Sequence, residues 1–277
     1  MENYVVSIRT AAQRRQHVAA EFNKHQIAFH FFDAVTPETL AESIAEHCPN
    51  LADAFLTGGE KGCFMSHVCL WAKCVADDLP YIGIFEDDVI LGRNSSRFLN
   101  DTKWLDERFQ NQSFIIRMET FLKANPVALS KSGVRPFNGR KILRLQSFGF
   151  GTAAYLISQQ TAITLLNWIR EVAPEKLEPI DNMLFNAASE IPEIQMYQIS
   201  PALCIQELQL NRADSSLSST LEDGRLARHQ QLDGGKTQPE QTQENRNIFA
   251  WAKNKIVKEY KRVKRRWADD KKIVPFK

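Results

Sequence analysis

Three consecutive carboxylates, Glu86, Asp87 and Asp88, follow the apolar run Tyr81-Ile82-Gly83-Ile84-Phe85. Aromatic and β-branched residues with nothing polar between them predict a strand buried on both faces. Open α/β sheets gather ligands at the carboxyl ends of their strands, so these acids stand where a ligand would bind. Three like charges this close repel and raise one another's pKa values unless a cation offsets them. A hard divalent ion, Mg²⁺ or Mn²⁺, held by carboxylate oxygens answers that repulsion and commonly holds a substrate phosphate as well. A solvated acidic turn after a core strand is the plainer alternative.

Further carboxylates stand at other expected element ends. Asp33 closes "IAFHFFD", Glu119 closes "SFIIRME", and Asp181 lies near the start of "IDNMLF" after a loop bracketed by Pro174 and Pro179. Parallel strands would bring several of these to one place. Taken singly, Asp33 reads equally well as a turn residue before Pro37, and Asp181 as a helix N-cap. Other chemistries lack their parts. Cys63, His67 and Cys74 can share a helix face, but no second His/Cys cluster completes a zinc site, and the one later histidine is His229. There is no G-x-S-x-G elbow, no P-loop and no G-x-G-x-x-G after the first strand. A phosphate would have to be held by the metal and by basic residues such as Arg9.

The elements that must carry these residues alternate. "NYVVSIR" (3–9) reads as a buried strand, followed by a helix bearing Arg14, Arg15 and His17. Residues 27–35 read as a second strand. Phe64, Val68, Trp71, Cys74 and Val75 recur at helical spacing between a "TGG" turn and Pro80. The acid-tipped strand comes next, a β-α-β-α-β order that predicts a sheet with parallel strands. Strands over 113–120 and 195–203, and helices over about 158–172 and from 180, complete the expected α/β sheet flanked by helices. The glycines of "FGFGTAAY" allow a tight turn or a close backbone approach.

The chain has 277 residues, ample for one large α/β domain or two small ones. Residues 1–228 are expected to form the body, 229–245 a polar linker and 246–277 a basic amphipathic helical tail. The linker stretch "HQQLDGGKTQPEQTQEN" has one apolar residue, Leu232, and cannot bury itself. Residues 251–277 carry eleven Lys/Arg against three Asp/Glu, which leaves 24 against 30 for residues 1–250. An acidic body with a net positive charge only in the tail argues against nucleic acid as a partner. Ile256, Tyr260, Val263 and Trp267 would share one face of the tail, which suits an anionic membrane surface. Five cysteines without a C-x-x-C pair, and no secretory signal, predict a cytoplasmic protein. With the tail, it would sit peripherally on the inner membrane.

The ordered segments "SIRTAAQRR", "FFDAV", "GEKGCFMSH", "PYIGIFEDDV", "GTAAYLIS", "PIDNMLF", "SPALCIQEL" and the final "IVPF" resemble glycosyltransferase family 25. Within it, they resemble the bacterial lipooligosaccharide β-1,4-galactosyltransferases. The resemblance implies a GT-A fold, a UDP-galactose donor, a glycan acceptor on lipooligosaccharide, and a D-x-D-type motif that binds Mn²⁺ or Mg²⁺. Glu86-Asp87-Asp88 matches that motif with Glu in first place. It implies Asp88 as direct metal ligand and Glu86 as reaching ribose, or the metal through water. Ser7, Ile8, Arg9 and Asp33 match positions around uridine, and Gly151 and Thr152 match the sugar pocket. "DSSLSS" resembles the closing segment but lacks a histidine ligand, leaving Asp214 and Gln206 as further metal candidates. Asp181 matches the catalytic base, with Glu119 as the alternative.

Overall fold

The computed structural model describes residues 1–110, 112–122, 127–146, 151–210 and 271–277. In chain order the strands are β1 (Glu2–Ser7), β2 (His30–Asp33), β3 (Tyr81–Glu86), β4 (Val89–Leu91), β5 (Phe114–Arg117), β6 (Val127–Lys131), β7 (Lys141–Leu145), β8 (Ala154–Ser158), β9 (Gln195–Ser200), β10 (Cys204–Gln206) and β11 (Lys271–Lys272). The helices are α1 (Ala12–Lys24), α2 (Pro37–His47), α3 (Gly58–Ala76), α4 (Ser96–Leu99), α5 (Lys103–Phe109), α6 (Gln159–Glu171), α7 (Ile180–Phe185) and α8 (Glu207–Leu210). Nine strands form one sheet in the order β11-β6-β7-β9-β5-β8-β3-β1-β2, and β4 pairs with β10 in a small antiparallel sheet. This is the expected α/β sheet flanked by helices.

The two faces are built by strand alternation. Ile82, Ile84, Ile115, Tyr155 and Ile157 pack with Phe64, Val68 and Trp71 of α3 and with Leu165 and Ile169 of α6. Their neighbours Phe85, Phe114, Ile116 and Leu156 turn the other way, onto Val18 and Phe22 of α1 and onto Phe98 and Trp104. Every residue of β5 and β8 is buried, the signature of central strands covered on both sides.

"TGGE" is a helix start, not a turn before one. Thr57 accepts from the Glu60 amide at 3.2 Å, and the Glu60 carboxylate accepts from the Thr57 amide at 3.0 Å. This reciprocal capping box places both glycines in the first turn of α3. Gly62 then lies so close to β2's exit that a Cβ would stand 2.7 Å from the Val35 carbonyl oxygen.

The sheet mixes parallel and antiparallel strands. β1, β2 and β3 are parallel, and β5 is parallel to β9, but β8 runs antiparallel to both β3 and β5. Its beginning, not its end, therefore lies beside the carboxyl ends of β3 and β5. The strands β4, β6, β7, β10 and β11 and the helices α2, α4, α5 and α8 were not expected from periodicity.

The expected basic tail over 246–277 needs correction at its end. β11 pairs antiparallel with β6, Val274 is 2% exposed, and its carbonyl accepts from the Thr120 hydroxyl at 2.6 Å. The Ala202 amide donates to Pro275 at 2.7 Å, and Arg140 donates to Lys277 at 2.7 Å. Residues 271–277 are thus part of the body. The linker and the basic segment before residue 271 lie outside the described residues, and no contact among the described residues supports a membrane surface as partner. Among them no helix is long and apolar enough to cross a membrane.

Candidate active site

The reversed β8 supplies the centre of the site. Gly151, Thr152 and Ala153 lead into it, and each is bonded to a different carboxylate. The Gly151 amide donates to Asp181 Oδ2 at 3.2 Å, the Thr152 hydroxyl to Glu86 Oε1 at 2.7 Å, and the Ala153 amide to Glu119 Oε1 at 2.9 Å. Sheet register explains the placement: the Glu86 amide donates to Ala153 and the Met118 amide to Ala154. Gly151 has φ +93°, and a Cβ there would meet the Phe121 ring at 2.7 Å and Glu119 Oε2 at 2.9 Å. Only glycine fits. Glu86, Glu119 and Asp181, far apart in sequence, thus meet around three consecutive residues.

Within the acid triplet the side chains divide. Glu86 is the last residue of β3, Asp87 and Asp88 form a turn, and the chain returns as β4. Asp87 faces the β1–α1 junction: Ser7 Oγ donates to its Oδ2 at 2.6 Å, and Arg14 forms a short ion pair with its Oδ1. Asp88 faces Gln206, whose amide nitrogen stands 3.5 Å from Asp88 Oδ2 and 3.4 Å from Glu86 Oε2. Asp88 Oδ1 is buried without a hydrogen-bond partner.

The carboxylates strain against their surroundings. Removal from water, then Asp88 and Glu119, push Glu86 up to about 8, although the Thr152 hydroxyl favours its ionised form. Burial raises Asp88 as well, with Arg14 opposing. Burial raises Glu119 to about 7 against the pull of Arg117, 3.7 Å away. Such crowding of ionisable groups is common where a protein works chemically.

It also has a consequence for stability. Glu86 and Glu119, at 4.5 when unexposed to these surroundings, bind protons more tightly in the folded chain. Between that value and their folded values the native state holds more protons, so stability must fall as pH rises. Buried His67, lowered to about 4, is neutral in both states above about its ordinary 6.5 and adds no slope there. The metal-free protein is therefore expected to lose Tm steadily from about pH 6.5 to 8.5. Glu86→Gln should flatten part of that slope in thermal unfolding monitored across the range. An unchanged slope would mean that Glu86 is not protonated in the fold.

Other expected positions are distributed around this centre. Ile8 is 40% exposed at the end of β1, and Arg9 is exposed beside it. Asp33 lies opposite Ser7 in register and pairs with Arg15, its side chain 55% exposed. Ser7 and Asp87 bond to each other. Glu119 is fully buried, whereas Asp181 is only partly so. Asp214 lies outside the described residues. Arg14 and Arg117 join these acids, Arg14 at Asp87 and Arg117 at Glu119, and local sequence pattern does not single them out. Their signal was faint, since an arginine in a helix or strand is ordinary until its carboxylate partner is known. His67 bonds through Nδ1 to the Tyr155 hydroxyl at 2.8 Å, which also accepts from Trp71 at 3.0 Å.

Among the described residues no three His, Cys, Asp or Glu side chains are placed to enclose a metal unaided. Hard cations of the Mg²⁺ type are usually held by one or two carboxylates and complete their shell with water and substrate phosphates. Asp88, with a buried unpartnered oxygen, fits that lesser demand, and Gln206 and Glu86 flank it.

Residues 1–184 match the model of "Glycosyltransferase family 25 (LPS biosynthesis protein)". The chain belongs to glycosyltransferase family 25. The family match spans α3, the acid triplet, the 151–153 segment and Asp181. Among curated relatives, the lipooligosaccharide biosynthesis protein lic2B of Haemophilus influenzae is 45% identical over 225 residues, 80% of this chain and 82% of that one. The lacto-N-neotetraose biosynthesis glycosyltransferase LgtB of Neisseria gonorrhoeae is 40% identical over 283 residues, the whole of both chains. Solved structures are more distant. The galactosyltransferase LgtC, in complex with donor and acceptor sugar analogs, gives a TM-score of 0.36 at 13% identity over 71% of this chain and 73% of that one. That likeness is too loose to carry an argument.

Proposed function

We propose that this family 25 glycosyltransferase acts in lipooligosaccharide biosynthesis, moving galactose from UDP-galactose to a terminal sugar hydroxyl with inversion, in a β-1,4 linkage. The observation that carries the reading is the meeting of Glu86, Glu119 and Asp181 around the start of β8, with Asp88 beside Glu86 across Gln206 and its Oδ1 buried and unpartnered. The names of the relatives support the pathway and the class of acceptor.

A divalent ion, Mn²⁺ or Mg²⁺, would be held by Asp88 with Glu86 and Gln206 beside it, and when bound would neutralise a diphosphate leaving group. The exposed Ile8 offers an apolar surface for a uracil ring, and Arg9 stands next to it. Thr152 holds Glu86 in place. Asp181 is the base: it is partly exposed, and Gly151 and Asn182 amides fix its two oxygens at 3.2 and 3.0 Å. As the acceptor oxygen bonds to the sugar carbon and the bond to the diphosphate breaks, the hydroxyl proton passes to Asp181. Glu119 is fully buried, with Oε1 held by the Ala153 amide and Oε2 unpartnered, and supports the loop in place of acting on the acceptor.

A turnover screen tests the reading. The purified protein is expected to release UDP from UDP-galactose in the presence of Mn²⁺ and a short glycan acceptor, and EDTA should abolish release. Turnover with UDP-glucose or UDP-N-acetylglucosamine alone would move the donor assignment to another hexose. Undiminished turnover in excess EDTA would remove the metal from the mechanism.

A further inference from the structure

We propose that Arg14 is a resident counter-cation of the donor site, bonded to the acid turn before donor arrives and transferred to the donor's diphosphate when a divalent ion takes Asp88. The proposal rests on the metal and nucleotide reading above and adds a residue to it.

Arg14 stands in the first turn of α1, directly after the β1 junction. Its Nη1 is ion-paired with Asp87 Oδ1 and lies 3.8 Å from Asp88 Oδ2, with only 17% of the side chain exposed. Asp87 is itself anchored on its far side by the Ser7 hydroxyl at 2.6 Å. Asp87 is thus a handle that holds the guanidinium at the edge of Asp88. A cation bound by Asp88 and the Arg14 guanidinium draw on the same carboxylate, so each weakens the other. A diphosphate reverses the relation. It brings negative charge to the same place, and the planar fork of Arg14 matches phosphate oxygens as well as it matches carboxylates. One residue should therefore oppose the metal alone and favour the nucleotide.

The opposed signs make the test. Mn²⁺ binding is measured by electron paramagnetic resonance without nucleotide, and UDP binding by calorimetry at saturating Mn²⁺, on the full chain. Arg14→Gln is expected to bind Mn²⁺ alone more tightly, by about three- to tenfold, and UDP more weakly, by about tenfold or more. Arg14→Lys, which keeps the charge but not the fork, should leave Mn²⁺ affinity near the wild-type value and still weaken UDP. A purely structural arginine would lower both affinities together along with Tm, and that result, or no change in either affinity, would overturn the proposal. Asp88→Asn is the control on the underlying reading. If it leaves Mn²⁺ binding intact, the metal is not at Asp88 and both the reading and the Arg14 proposal fall. If it abolishes Mn²⁺ binding while Arg14→Gln shifts nothing, only the Arg14 proposal falls.

Discussion

Asp88→Asn is expected to lower kcat/KM by about a thousandfold or more while leaving Tm equal to the wild-type value or above it. The two effects share one cause. The Asp88 carboxylate is raised by burial, stands next to Asp87 and near Glu86, and keeps one oxygen without a partner. An amide of the same shape removes the crowded charge, which relieves the fold. It also removes the ligand strength that a hard cation requires. A residue placed for packing alone would show the reverse pattern, with Tm lost and turnover spared. Differential scanning calorimetry of the metal-free variant, beside initial rates at saturating Mn²⁺, separates the cases. A variant with near-normal turnover would show that Asp88 is not the metal ligand.

Asp181→Asn should cut kcat by about a hundred- to ten-thousandfold and leave UDP-galactose affinity within a few-fold, because proton acceptance matters only in the transition state. The substitution is mild for the fold. The asparagine oxygen can still accept from the Gly151 or Asn182 amide. Glu119→Gln is the contrasting variant. Its carboxyl bonds to the Ala153 amide and neighbours Arg117 in the interior, so its loss acts on the 151–153 segment and on stability, with kcat expected within about tenfold of wild type. A dead Glu119→Gln protein beside a working Asp181→Asn protein would exchange the two roles.

Much of this arrangement follows from local sequence pattern. The uninterrupted apolar run before Glu86 marks β3 as buried on both faces, and the helical spacing of Phe64, Val68 and Trp71 marks α3. Both signals are strong because burial of a whole strand or a wide helix face demands many apolar residues in phase. The convergence of acids on one sheet edge was also legible, since β1, β3 and β5 all end there. Short elements were not legible. β4, β10 and β11 have two or three residues each, too few for any period to show, and they exist because a neighbouring edge supplies their hydrogen bonds.

The sequence by itself determined which residues carry charge, which strands are buried and where the glycines lie. Tertiary structure decided direction and partnership. β8 looks the same in sequence whichever way it runs, because alternation and apolar content are unchanged by reversal. Running antiparallel, it delivers Gly151, Thr152 and Ala153 to Asp181, Glu86 and Glu119. In the same way only the fold divides the acid triplet, giving Asp87 to Ser7 and Arg14 and leaving Asp88 with a buried, unpartnered oxygen. Adjacent side chains at a turn point in different directions, and which direction meets a partner depends on residues eighty positions away in the chain.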